Sequence, residues 1–210
     1  MVAGHDPLEA DQKAAWLAAR AGKLTASRMG DALAVLKTGK PAKARADLIR
    51  DLLAERMTGY SVPHFVNPAM QHGLDTEPVA KAVYTFETGN IIKPCGFYDH
   101  PAIDNFGATP DGLISFDGLV EIKCPTTGTF VEWIMAGVVP EEHTPQMLAQ
   151  LACTGRKWVE FIAYDPRIKD ERKRLFVRRF EPDIEQIMAV EDAARAFLAE
   201  VDSAWEVLNT

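Results

Sequence analysis

Apolar residues recur at helical spacing as far as Gly89 and then switch to short alternating runs. Positions three and four apart share a helix face, whereas alternate positions share a strand face. Residues 8–20, 29–37, 44–58 and 69–88 therefore read as helices. Thr25 or Ser27 supplies an N-cap for the second. Leu48, Leu52, Leu53 and Met57 form the apolar face of the third, which Gly59 stops. Val79, Val83 and Phe86 do so for the fourth. Residues 39–41 form a loop, and 61–68 an irregular stretch with Pro63 and Pro68.

Beyond Gly89, residues 91–93, 96–100 and 105–109 read as short strands. Residues 113–116 and 119–124 form a hairpin around Asp117-Gly118, a pair suited to a tight turn with positive φ. Residues 126–138 return to helix, with Phe130, Trp133, Ile134 and Val138 at apolar spacing. Thr144-Pro145 opens a further helix that runs to Thr154. Residues 158–164 and 175–180 alternate as strands. The most periodic helix is 183–208, through Ile184, Ile187, Met188, Ala194, Phe197, Val201, Trp205 and Leu208. No linker or low-complexity stretch intervenes, so 1–210 reads as a single α/β domain with a mixed sheet flanked by helices.

A chain of 210 residues that is 47% hydrophobic can bury a sizeable core. No apolar run approaches the length of a membrane span, and residues 1–11 are polar and acidic rather than a signal peptide. A cytoplasmic protein is expected. Cys95, Cys124 and Cys153 are odd in number and fit no CxxC pattern, which suits reduced core thiols. The net charge of −7 argues against a general nucleic-acid coat. It leaves room for a channel lined by basic residues, because affinity for phosphates depends on where the cations sit. Lys37, Lys40, Lys43 and Arg45 form one basic run, and a second extends from Arg167 to Arg179. Each reads either as a solvated face or as part of such a channel. The chain has no Walker loop, GxSxG or GxGxxG, which removes the common NTPase, hydrolase and dinucleotide-binding readings.

The most informative chemistry is Pro110-Asp111-Gly112 followed across the hairpin by Glu121-Ile122-Lys123. Glu121 and Lys123, two apart on a strand, face the same way. A charge on so apolar a strand is costly without a partner or a function. With Asp111 near by, the group can hold a hard divalent cation and activate a water, as phosphodiesterases do. The plainer reading is a solvated edge or a cross-strand ion pair. A two-residue turn puts Asp111 on the face opposite Glu121, so either a bulge shifts the register or Gly112 breaks the pleat. Gln146 and Gln150 share one side of their helix among apolar neighbours, and one amide is expected to have a specific target. Glu77 suits the early turns of a helix for its dipole alone. His72, His100 and His143 have no mutual metal spacing.

Taken in order, Arg20-Ala-Gly-Lys-Leu-Thr25-Ala-Ser27, Gly73-Leu-Asp-Thr-Glu77, Thr109-Pro-Asp111-Gly-Leu113, Glu121-Ile-Lys123-Cys-Pro125, Gln146 and Tyr164-Asp-Pro-Arg-Ile-Lys169 span nearly the whole chain. The sequence resembles the phage lambda exonuclease family, also called YqaJ-like viral recombinase nucleases. It departs at His72, where a member of that family has an aromatic residue, and in a shorter hairpin. The resemblance implies a restriction-endonuclease-like α/β core and processive 5′→3′ digestion of one strand of duplex DNA. It also implies a ring-shaped homotrimer around the DNA and a single-strand annealing protein as partner.

Within that resemblance Asp111, Glu121 and the Ile122 carbonyl hold Mg²⁺, for which Mn²⁺ substitutes, and Glu77 reaches a second ion directly or through water. Lys123 orients or deprotonates the attacking water, and Gln146 helps to position it. Arg20, Thr25 and Ser27 grip the 5′-phosphate, the latter two from an apparent helix N-terminus. Met70 serves as a wedge at the terminal base pair or as ordinary core. Lys37, Lys40 and Lys43 are candidates for the DNA backbone. An endonuclease or junction resolvase shares the same triplet, and a DNA-end-binding module without catalysis is the rival from another class.

Overall fold

Gly118–Lys123 is apolar throughout except at Glu121 and Lys123, the composition of a strand covered on both faces. We describe a computed structural model that covers residues 7–62 and 67–210. The elements are α1 (Pro7–Arg20), β1 (Leu24–Thr25), α2 (Met29–Leu33), α3 (Lys43–Thr58), α4 (Pro68–Thr88), β2 (Tyr98–Asp99), β3 (Phe106–Ala108), β4 (Gly112–Ile114) and β5 (Gly118–Lys123). They continue as α5 (Thr127–Ala136), α6 (Thr144–Thr154), β6 (Trp158–Tyr164), β7 (Leu175–Phe180) and α7 (Ile184–Leu208). The irregular stretch expected at 61–68 falls partly on residues 63–66, outside the described residues, as does Pro63 itself.

The expected sheet is two sheets. The larger has the order β4-β5-β6-β7, with β5 and β6 parallel and both outer pairs antiparallel. One face, through Leu119, Phe161 and Ala163, packs on Phe130 and Trp133 of α5 and Met147 and Leu151 of α6. The other, through Val120, Ile122 and Ile162, packs on Ala80 and Tyr84 of α4. A shorter sheet, β1-β3-β2, lies in a separate core with α2, α3, α6 and α7. Of the strand expected at 91–93, only Lys93 pairs, in an isolated bridge to Leu113.

Three further expectations are corrected. The helix expected at 29–37 ends at Leu33. Val35 instead bridges to Pro41, and the Leu36 N–H donates to the Lys40 carbonyl at 2.7 Å, closing a loop around Gly39. On α4 the inward face is Thr76, Ala80 and Tyr84, while Val79 and Phe86 are exposed. Small Ala80 permits close approach to the sheet, and the Tyr84 hydroxyl donates to the buried Glu160 of β6. A buried carboxylate without a donor is costly, so that partner outweighs the apolar count on the other face. Finally, the cysteines are all free thiols, but only Cys153 is buried; Cys95 and Cys124 are half-buried.

Candidate active site

The hairpin differs from its expected form in a way that builds the site. Leu113 pairs with Leu119 and Gly112 with Val120, leaving Ser115, Phe116 and Asp117 as a three-residue loop. Ser115 takes the left-handed conformation at φ 51°. Gly118 belongs to the strand, where a Cβ would collide with the Trp158 indole on β6. Relative to a two-residue turn, the register moves by three residues. An odd shift reverses which residues share a face. One step beyond the last pair, Asp111 stands at a bend just before β4, beside the Glu121–Ile122 end of β5, so the three-residue loop accounts for the shift in register and the chain turns at Asp111 itself.

Asp111 accepts the backbone N–H of Ile122 at 2.7 Å. Because the N–H and C=O of a strand residue point to the same side, the Ile122 carbonyl also faces the edge where β4 has ended. Glu121 is wholly buried. Its Oε1 lies 2.6 Å from Lys123 Nζ, and its Oε2 accepts from Gln150 Nε2 at 2.6 Å. The Lys123 contact is an ion pair by distance, but Oε1 has no hydrogen-bond donor of suitable geometry. Burial, with Glu121 and Glu77 near by, holds the Asp111 carboxyl well above the usual carboxylate range. The Lys123 ammonium is buried as well, which opposes its charge. Glu121, Asp111 and Glu77 outweigh that cost and raise its pKa, so it rests protonated.

Glu77 and Lys123 line one cleft of about 380 Å³ together with Met70, Leu74, Ile122 and Trp133. Glu77 is paired with Lys81 at 2.7 Å. Among the described residues no three His, Cys, Asp or Glu side chains converge on one point. Glu77 is nonetheless near enough to Asp111 and Lys123 to help raise both their pKa values. The α4 helix continues through Pro78. Proline has no N–H to give the carbonyl four residues back, here that of Leu74 in the cleft wall. Gln146 Oε1 accepts from Lys123 Nζ at 3.4 Å. Gln150 was not assigned a role by sequence reasoning. Its signal was already visible: a second glutamine one helical turn on, enclosed by Met147, Leu148 and Leu151.

Arg20 and Ser27 do meet, in a pocket of about 470 Å³ that also includes Arg28, Asp31, Asp51 and Met70. Met70 borders both this pocket and the Glu77 cleft. The guanidinium of Arg20 stacks 4.0 Å above the Trp16 ring, and Trp16 donates its indole N–H to Thr109 at 3.0 Å. Burial lowers the pKa of Arg20, Arg28 adds to that effect, and Glu55 opposes it. The expected helix N-terminus is corrected. Thr25 ends β1, is buried, and its hydroxyl lies 3.3 Å from Ser27 rather than capping a helix. The segment that follows is a 3-10 turn, Ala26–Arg28, and the five-residue α2, too short for a sizeable dipole.

The basic runs are less available than their sequence suggests. Lys37 and Lys40 are exposed on the loop, whereas Lys43 pairs with Asp47 at 2.5 Å. Arg167, Arg172, Arg174 and Arg179 are all engaged with nearby carboxylates.

A family model described as the YqaJ-like viral recombinase domain matches residues 15–157. This chain belongs to that family. Among solved structures, an alkaline exonuclease (LHK-Exo) from Laribacter hongkongensis is 43% identical, with a TM-score of 0.84 covering 93% of this chain and 95% of that one. LHK-Exo in complex with dAMP matches at 43% identity and a TM-score of 0.85, covering 92% of this chain and 95% of that one. A phage related exonuclease from Haemophilus somnus 129PT shares the fold at 14% identity and a TM-score of 0.66, covering 89% of this chain and 96% of that one. No curated protein matches significantly. The fold of this YqaJ-family member is restriction-endonuclease-like α/β, as the sequence resemblance implied. No described helix is long and apolar enough to cross a membrane.

Proposed function

We propose that this YqaJ-family protein is a Mg²⁺-dependent exonuclease that digests the 5′-ended strand of duplex DNA processively to mononucleotides. The remaining 3′ single strand serves recombination by strand annealing, with an annealing protein as partner. The observation that carries the reading is the closeness of Asp111 and Glu121 at the end of the β4–β5 hairpin, with Lys123 2.6 Å from Glu121. The bound dAMP of the 43% identical LHK-Exo accords with a mononucleotide product.

The residues fit a hard cation. Glu121 offers a buried carboxylate whose Oε1 meets only the Lys123 ammonium, and Asp111 and the Ile122 carbonyl face the same edge. When bound, Mg²⁺ or Mn²⁺ supplies charge stabilisation at the phosphate and a more acidic water. Glu77 serves a second ion directly or through water. The protonated Lys123 orients the attacking water and balances charge on the phosphorane, and Gln146 positions that water with it. Arg20 and Ser27 receive the 5′-phosphate. Met70, between the two clefts, separates the terminal pair, and Lys37, Lys40 and Lys43 contact the DNA backbone. A ring-shaped homotrimer surrounding the duplex lets an acidic protein stay on its track in the cytoplasm.

The test is mononucleotide release from linear duplex in Mg²⁺, with a covalently closed circle left intact. Cutting of the circle replaces the exonuclease with an endonuclease. Absence of release from both removes the catalytic reading.

A further inference from the structure

Glu55 is a buried charge that the reaction as described leaves unused. It lies on α3 with 5% exposure. A carboxylate so enclosed is retained only where its oxygens are satisfied. Its Oε2 accepts the backbone N–H of Gly22 at 2.8 Å, and its Oε1 that of Val62 at 3.0 Å. Oε1 also lies 3.9 Å from Arg28 Nη1. One side chain thus joins the turn after α1, the segment after α3 and a cation of the phosphate pocket.

The turn at Gly22 is where Arg20 leaves α1. Gly22 has φ +73°, a conformation that costs little only in glycine, and a Cβ there would press on the Arg56 side chain. Arg56 Nε donates to the Gly22 carbonyl at 3.3 Å, and its Nη1 pairs with Asp202 of α7 at 2.7 Å. Both polar groups of the Gly22 peptide unit are therefore held by α3. Arg20 and Arg28 line the same pocket with Ser27, Asp31, Asp47 and Asp51; Arg28 pairs with Asp51 at 2.5 Å, and Glu55, behind the pocket, is the carboxylate whose charge acts on Arg20 while its Oε1 lies near Arg28.

We infer that Glu55 is a positioning residue for recognition of the terminal phosphate: by holding Gly22 and facing Arg28 it sets where Arg20 presents its guanidinium. The inference rests on the proposed phosphate pocket. It assigns discrimination between phosphorylated and hydroxyl 5′ ends to a side chain that touches neither the DNA nor the reacting atoms.

The experiment is a double-mutant cycle of Glu55→Gln and Arg20→Ala in the full chain. Its readout is the ratio of kcat/KM for 5′-phosphorylated over 5′-hydroxyl linear duplex, with thermal unfolding measured beside it. Glutamine keeps the shape but turns an N–H₂ toward one of the two backbone amides and removes the charge. Losing one hydrogen bond to a charged group corresponds to a fall of roughly tenfold in the ratio. The decrease is expected chiefly in KM for the phosphorylated end, and it vanishes when Arg20 is already alanine, because coupled sites do not add. Equal losses on both end types, or a full effect that persists in the Arg20→Ala background, overturn the inference and leave Glu55 a structural residue. A wild-type ratio near one overturns the phosphate pocket itself. A normal wild-type ratio that Glu55→Gln leaves unchanged overturns only the role of Glu55.

Discussion

Gln150 donates its side-chain amide to Glu121 across 2.6 Å, and neither side chain reaches solvent. The same helix presents Met147 and Leu151 to the larger sheet, and Ala149, Ala152 and Cys153 to the core that holds Leu24, Ala26 and Met29. One helix therefore orients the Glu121 carboxylate of the proposed metal site and supports the segment that carries Ser27. Gln150→Leu is expected to lower nucleotide release by at least tenfold while costing about 1–3 kcal/mol of stability, the range for leaving a buried acceptor unpaired. Urea unfolding and end-digestion rates measured on one preparation separate the two effects.

Asp111→Asn is expected to abolish Mg²⁺-dependent digestion and to stabilise the metal-free protein at neutral pH. The folded pKa of Asp111 is raised by burial and by Glu121 and Glu77. The folded state therefore holds a proton that the unfolded chain has released, and stability falls as pH rises from the usual carboxylate range through the raised value. Removing the ionisable group removes that fall. Melting curves across this window check the sign. Added Mg²⁺ should raise the melting temperature of the wild type but not of the variant.

Lys123→Met is expected to retain metal-induced stabilisation and to lose turnover by a factor on the order of 100 or more, the upper scale for a positioned proton-transfer or charge-balancing group. The ammonium rests protonated against Glu121, so its contribution is orientation and charge. Calorimetric titration of Mg²⁺ checks the first part and single-turnover digestion the second. A variant that keeps its rate and loses metal refutes this division of labour.

Arg20→Ala is expected to slow digestion of 5′-phosphorylated ends by roughly tenfold or more and of 5′-hydroxyl ends much less, since a charge-assisted, bidentate contact is lost only with the former. The guanidinium is already enclosed and stacked on Trp16. Matched duplexes that differ only at the 5′ end supply the measurement.

His143 makes the protein acid-sensitive. It stacks on Phe161 and meets Trp133 edge-on, and burial, with Lys123 near by, lowers its pKa to about 4. Between pH 6.5 and that value the unfolded chain binds a proton that the folded one refuses, so stability falls as pH falls through this window. Replacement by phenylalanine is expected to flatten the fall, as denaturation midpoints at pH 7 and pH 5 will show.

Much of this was legible in the chain. The helices at 44–58, 144–154 and 183–208 and the strands at 158–164 and 175–180 form close to where periodicity places them, because the core draws in their apolar residues at the spacing of each element. The family was legible from its motifs by type and order. The inward face of α4 was not, since Tyr84 is drawn by a carboxylate on another strand, a pairing no local pattern encodes. The hairpin misled for a related reason: Asp117-Gly118 looks like a turn, yet the glycine is needed where Trp158 crosses the strand. Gln150 matters through a residue 29 positions away.

The three-residue loop between β4 and β5 makes catalysis a matter of parity. Side chains alternate along β4, so a slide of one position against β5 exchanges the faces of Leu113 and Ile114 and takes Asp111 off the Ile122 N–H, whereas a slide of two keeps the faces and loses only that partner. A ladder of loop insertions and deletions should therefore read out as an alternation in residual activity rather than a smooth decline. Drift in this loop among descendants of such a chain is constrained in steps, with even changes tolerated before odd ones.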